Sequence, residues 1–154
     1  MVNTGQPARI KVFPRDTDLK TRVFIEREFL QIIAVTESPE WRPTVTLEHI
    51  GRGWVGVTYG PSDIRIERSL VELAMTDEAA LWALRRTISH EIGHAISGHR
   101  FTTTATQQAK ELEADAKGIE YFNRLGWPCK LWVDNFARVL KRGVRHRRGT
   151  RHKG

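Results

Sequence analysis

The sequence predicts an α+β domain, and three observations carry that prediction. Helical periodicity appears near the N-terminus, three short β-branched or aromatic stretches divided by Gly and Pro follow, and helical periodicity then returns for the rest of the folded chain. At 154 residues the chain suits one domain with one core. An apolar fraction of 40% with five Trp and six Phe supports a folded globule. No window approaches the ~18 consecutive apolar residues that a membrane span needs, so a soluble protein is expected.

In order, residues 17–37, "TDLKTRVFIEREFLQIIAVTE", open with capping-type Thr17 or Asp18. Leu19, Val23, Phe29, Leu30 and Ile33 then recur at helical intervals, and Ser38-Pro39 ends the helix. "TVTLEHI" (44–50), "GWVGVTY" (53–59) and "DIRIERS" (63–69) read as a small, mostly antiparallel sheet. A helix capped by Asp77 runs to about Ile96. Another covers about 104–125 and stops at Gly126, with Pro128 forbidding continuation. A last helix is predicted over about 128–141.

The net charge of +7 is local, because residues 141–154, "KRGVRHRRGTRHKG", hold seven cations and no acid, leaving residues 1–140 balanced. The expected organisation is therefore one domain over 1–140 and a basic, disordered tail over 141–154. Such a tail predicts weak, non-specific contact with nucleic acid or other polyanions, and it lacks the interleaved aromatics on which single-strand binders stack bases. The N-terminus has no signal-peptide design, and the lone Cys129 cannot form an internal disulfide, which together predict a cytoplasmic protein.

The chemistry concentrates in "HEIGH", residues 90–94. Four residues along a helix is about one turn, so His90 and His94 share a face and can point at one ion. Glu91, about 100° round from His90, flanks that ion where a base for an attacking water is wanted. Leu81, Leu84, Ile88, Ile92 and Ala95 form an apolar stripe roughly opposite, so the histidine face is left to line a cleft. A hydrolytic zinc site needs three protein ligands and one open position.

The third ligand is sought in "QQAKELEADAKGIEYFNRLG". Glu113, Lys117, Glu120 and Arg124 alternate in sign along one stripe and face water. Glu111, Asp115, Gly118 and Phe122 share the other side, which makes Glu111 the third ligand and Asp115 the acceptor for the second ring N–H of a metal-binding histidine. Gly118 is expected to let the two helices approach closely. His99 falls one residue out of register with the third histidine of the pattern H-E-x-x-H-x-x-G-x-x-H and reads as a structural or outer-layer group. For stabilising the oxyanion, Tyr121, Tyr59, His99 and Arg100 are all candidates and the residues do not choose among them.

"HEIGHAISGH" followed by "ELEADAKGIEYFNRLGWP" resembles the gluzincin zinc metallopeptidases, and among them the M48 family, over roughly residues 77–135. With no membrane span expected, the chain looks like the short soluble versions called minigluzincins. The resemblance implies one Zn²⁺ per chain held by His90, His94 and Glu111, Glu91 as catalytic base and Asp115 behind the ligands. It implies a zinc-dependent endopeptidase acting on peptides or proteins, with substrate extended along an exposed strand for which "DIRIERS" is the candidate. Two alternatives stand beside it: a latent or non-catalytic gluzincin-like binding protein, and a nucleic-acid-associated protein acting through its basic tail.

Overall fold

A computed structural model describes residues 9–51, 53–98, 104–130 and 132. The elements in chain order are β1 (Lys11–Phe13), α1 (Leu19–Ile33), β2 (Thr44–Glu48), β3 (Gly56–Thr58), β4 (Asp63–Glu67), α2 (Arg68–Ala74), α3 (Glu78–Ser97) and α4 (Thr104–Leu125). The class is α+β, as the sequence predicts. His99, Arg100, the tail over 141–154 and most of the expected last helix lie outside the described residues, and of that helix Cys129, Lys130 and Trp132 are described and are helical. Among the described residues no helix is long and apolar enough to cross a membrane.

Capping side chains set the helix starts. Asp18 accepts from the backbone N–H of Thr21, and Asp77 accepts from that of Ala80 at 2.8 Å. Left-handed glycines end α3 and α4, Gly98 at φ 72° and Gly126 at φ 75°. The first helix stops at Ile33, short of 37, where the Thr36 hydroxyl takes the Ile33 carbonyl and turns the chain. In "DIRIERS" the strand ends at Glu67, whose carboxylate accepts from the backbone N–H of Ser69 and starts α2 directly, a helix the pattern of residues did not announce.

The sheet is mixed rather than mostly antiparallel. Its order is β1-β2-β4-β3, with β1·β2 and β2·β4 parallel and only β3·β4 antiparallel. Connectivity gives the reason. The short β1 precedes α1, which carries the chain back so that β2 runs the same way as β1. After β2 the chain passes to the far side of β4's position, comes back as β3, and turns at Gly60 (φ 77°) into β4. The strand expected at an edge, β4, is therefore interior, and the edge on that side is β3.

Alternation along the strands leaves one face dry. Val45, Leu47, Ile64 and Ile66 are buried, while Thr44, Thr46 and Arg65 point to the other side. Against the dry face pack Ile25, Phe29 and Ile32 of α1 with Leu84, Ile88 and Ile92 of α3. The other side of α3 is covered too, by α4 and β3, so His90, Glu91 and His94 are buried along with the apolar stripe. Trp82, Phe122, Trp127 and Trp132 meet edge to face or tilted, with centroids 5.1 to 6.1 Å apart, and tie the end of α4 to α3.

Candidate metal centre

α3 and α4 run in contact along the histidine face, and a glycine makes that contact close. A Cβ at Gly93 would stand 2.8 Å from the Ala114 carbonyl oxygen and 3.2 Å from its Cα. Only a bare Cα there lets the helices come this near, one residue before His94. Gly118, expected to do this, instead receives the Trp132 ring, whose Cη2 would lie 2.0 Å from an added Cβ.

The close approach brings Glu111 to the histidines. His90 Nε2 lies 2.9 Å from Glu111 Oε1, His94 Nε2 lies 3.2 Å from Glu111 Oε2, and the two Nε2 atoms are 3.1 Å apart. The rings stand at 89° to each other. Ligands held ~2.0–2.1 Å from a tetrahedral ion are ~3.3 Å from one another, and each pair here comes close to that separation, with a different Glu111 oxygen facing each ring. The Glu111 side chain is 44% exposed, so water reaches the cluster from its side.

Behind this trio, His90 Nδ1 donates to Asp115 Oδ1 at 2.8 Å, which turns its Nε2 toward Glu111 and His94. The same oxygen accepts from Arg86 Nη2 at 2.9 Å. Arg86 lies one turn before His90, is buried, and has its guanidinium 4.6 Å over the Trp132 ring. Burial pulls its pKa down to about 10 against the opposing charges of Asp115, Glu91 and Glu111.

Electrostatics follow from three carboxylates facing one guanidinium. With all three carboxylates ionised and both imidazoles neutral, Glu91, Glu111 and Asp115 against Arg86 would leave a net charge of −2, which a divalent cation would cancel. Burial lowers the pKa of His90, but the Asp115 and Glu111 carboxylates outweigh it and push it up to about 9. Burial also works against the charge on Glu111 and Asp115. Hydrogen bonds from the histidines for Glu111, and from His90 with the Arg86 charge for Asp115, hold both below the usual carboxylate range. Glu91 differs: full burial pushes its pKa up despite the nearby imidazoles and a hydroxyl donor. The donor set of two imidazoles and a carboxylate around an anionic pocket fits a zinc ion.

The hydroxyl on Glu91 comes from Thr58, whose Oγ1 donates to Oε1 at 2.6 Å and lies 3.1 Å from the Glu91 carbonyl oxygen. Two positions before it, Gly56 leaves the room that Glu91 needs, since a Cβ there would meet Thr87 Cγ2 at 2.8 Å and Glu91 Cγ at 3.0 Å. The edge strand β3 is thus pressed onto α3 at Glu91. Thr58 and Arg86 were not found from the sequence. An Arg one turn before a metal-type histidine was the available signal for one, whereas nothing local marks the other.

The structure brings His90, Glu91, His94, Glu111 and Asp115 into one cluster and leaves Tyr121 out of it. Tyr121 is ten residues beyond Glu111, roughly 15 Å along the helix axis, and it is buried with its hydroxyl donating to Glu37 Oε1 at 2.9 Å. Tyr59 follows Thr58 and points to the opposite face of β3, where the Arg65 guanidinium stands 4.8 Å over its ring. Comparisons with models of protein families, with curated proteins and with solved structures give no match to this chain.

Proposed function

We propose that the chain is a zinc-dependent endopeptidase of the gluzincin type, soluble and with one zinc ion held by His90, His94 and Glu111. The observation that carries this reading is the convergence of those three side chains, one donor atom of each within 4.8 Å of the others, beside a buried Glu91 next to His90 on α3. A zinc ion there supplies Lewis acidity, acidifying water and polarising a peptide carbonyl.

The chain's own residues do the rest. Glu91 takes a proton from the attacking water and delivers it to the leaving amine, and the burial that raises its proton affinity suits a group that must hold and release that proton. Thr58 fixes Oε1, so Oε2 is the oxygen available to the proton. Asp115 and Arg86 keep His90 in the tautomer whose Nε2 faces the ion. A peptide extended along β3 would add its backbone to the sheet edge next to Glu91, which serves many sequences equally because the bonds are to main chain.

The test pairs zinc content with cleavage of an unstructured protein such as casein. About one zinc per chain, cleavage blocked by chelator, and a Glu91→Gln variant that keeps zinc but loses cleavage support the reading. Zinc bound without any cleavage would replace it with the non-catalytic, metal-holding alternative, and no zinc at all would remove both.

A further inference from the structure

At the sheet edge opposite β3, β1 pairs only with β2 among the described strands, so its outer side offers backbone groups that no further strand takes. Between this edge and the first half of α1 lies a cavity of about 470 Å³. Its walls carry Arg9, Lys11, Arg15 and Arg22 against one carboxylate, Glu26. That carboxylate is already engaged, accepting from Arg9 at 2.6 and 3.2 Å and from the Ile10 N–H at 2.9 Å. Arg22 Nε is buried with no hydrogen-bond partner among the described residues. On the rim, Leu19 and Val23 sit one helical turn apart and are 69% and 44% exposed.

We propose that this groove docks an extended acidic segment of another protein, whose backbone adds to β1 while its acidic side chains meet Lys11, Arg15 and Arg22 and an apolar side chain rests on Leu19 and Val23. Charge selects the occupant. Four cations against one engaged carboxylate call for an anionic ligand, which excludes the chain's own tail with its seven cations. A second copy joined β1 to β1 would set like charges together. A nucleic acid would use the cations but has no use for a free strand edge or for Leu19 and Val23, whereas an alternating acidic and apolar peptide uses all three. The groove is independent of the metal centre, since β1 and β3 are separated by two strands, roughly 14 Å across the sheet.

The test is fluorescence anisotropy of full-length protein with a labelled peptide of about ten residues alternating Glu and Val. Saturable binding is expected, weakened at least about tenfold by Arg15→Glu with Arg22→Glu, with zinc content unchanged. Leu19→Ser, at an exposed position, is expected to weaken it severalfold and keeps the test standing should the double variant not fold. Absence of saturable binding would overturn the proposal. So would binding that survives both changes, which would place the peptide on the tail, or binding that appears only after residues 1–8 are deleted. An oligonucleotide of equal charge that competes as well as the peptide would also overturn it in favour of a general anion site.

Discussion

Two glutamates on different helices show how a carboxylate withdrawn from water can be completed in opposite ways. Glu26 of α1 is closed by an arginine fork and a backbone N–H, and burial is outweighed so that it stays anionic below the usual carboxylate range. Glu28, two residues on, is closed likewise by Arg85 at 2.7 and 3.3 Å. Glu111 of α4 meets two imidazoles instead, and the ring nitrogens that face it also face each other at 3.1 Å. An arginine brings fixed positive charge and donors, so the Glu26 cluster is complete without anything further. Imidazoles bring lone pairs as readily as protons, so the Glu111 cluster can take a cation, as the proposed function requires. The identity of the partner, more than the burial of the acid, separates a structural carboxylate from a ligand.

The largest effect should come from exchanging charge at the two acids. Glu111→Gln is expected to weaken zinc binding on the order of 100-fold or more, measured by competition with a chelator of known affinity. Glu26→Gln should leave zinc affinity unchanged, and a loss there comparable to that at Glu111 would break the contrast. The layer behind the ligands comes next: Asp115→Asn and Arg86→Met should each weaken zinc binding by about 10–100-fold, the second through Asp115. The same assay reads both, and an unaltered affinity in Arg86→Met would mean that Asp115 is held without it.

Smaller effects are on stability. Gly93→Ala should force α3 and α4 apart at the Ala114 carbonyl and cost about 1–3 kcal/mol, visible in chemical denaturation together with a fall in zinc affinity. A neutral result would show that the helices have slack between them. Glu26→Gln should cost about 1 kcal/mol, a modest figure because Arg9 is largely solvated. Its sign with pH is fixed by a folded-state pKa below the unfolded one. The contribution is complete at neutral pH and is lost as pH falls below the ordinary carboxylate range near about 4 toward the folded value. Denaturation curves of wild type and variant should therefore converge in acid, and parallel curves would assign the cost of the variant to packing.

By itself the sequence determined what repeats within a helix. The i, i+4 spacing that aligns His90 with His94 is local, as are the shared side of Glu111 and Asp115 on α4 and the outward stripe of Glu113, Lys117, Glu120 and Arg124. Helical geometry fixes such relations before any packing occurs. The caps at Asp18 and Asp77 and the stop at Gly126 are local for the same reason, each joining groups within about one turn. Tertiary structure alone decided the rest. The parallel pairing of β1, β2 and β4, and β3 as the edge beside the centre, depend on how the chain crosses over between strands, which composition does not encode. Thr58 reaches Glu91 across 33 residues and Arg9 reaches Glu26 across 17. Gly93, rather than Gly118, became the point where the helices touch, because Trp132 took the space beside Gly118. Such contacts are chosen only when all the surfaces compete at once for the same volume, and no periodicity along the chain records the outcome.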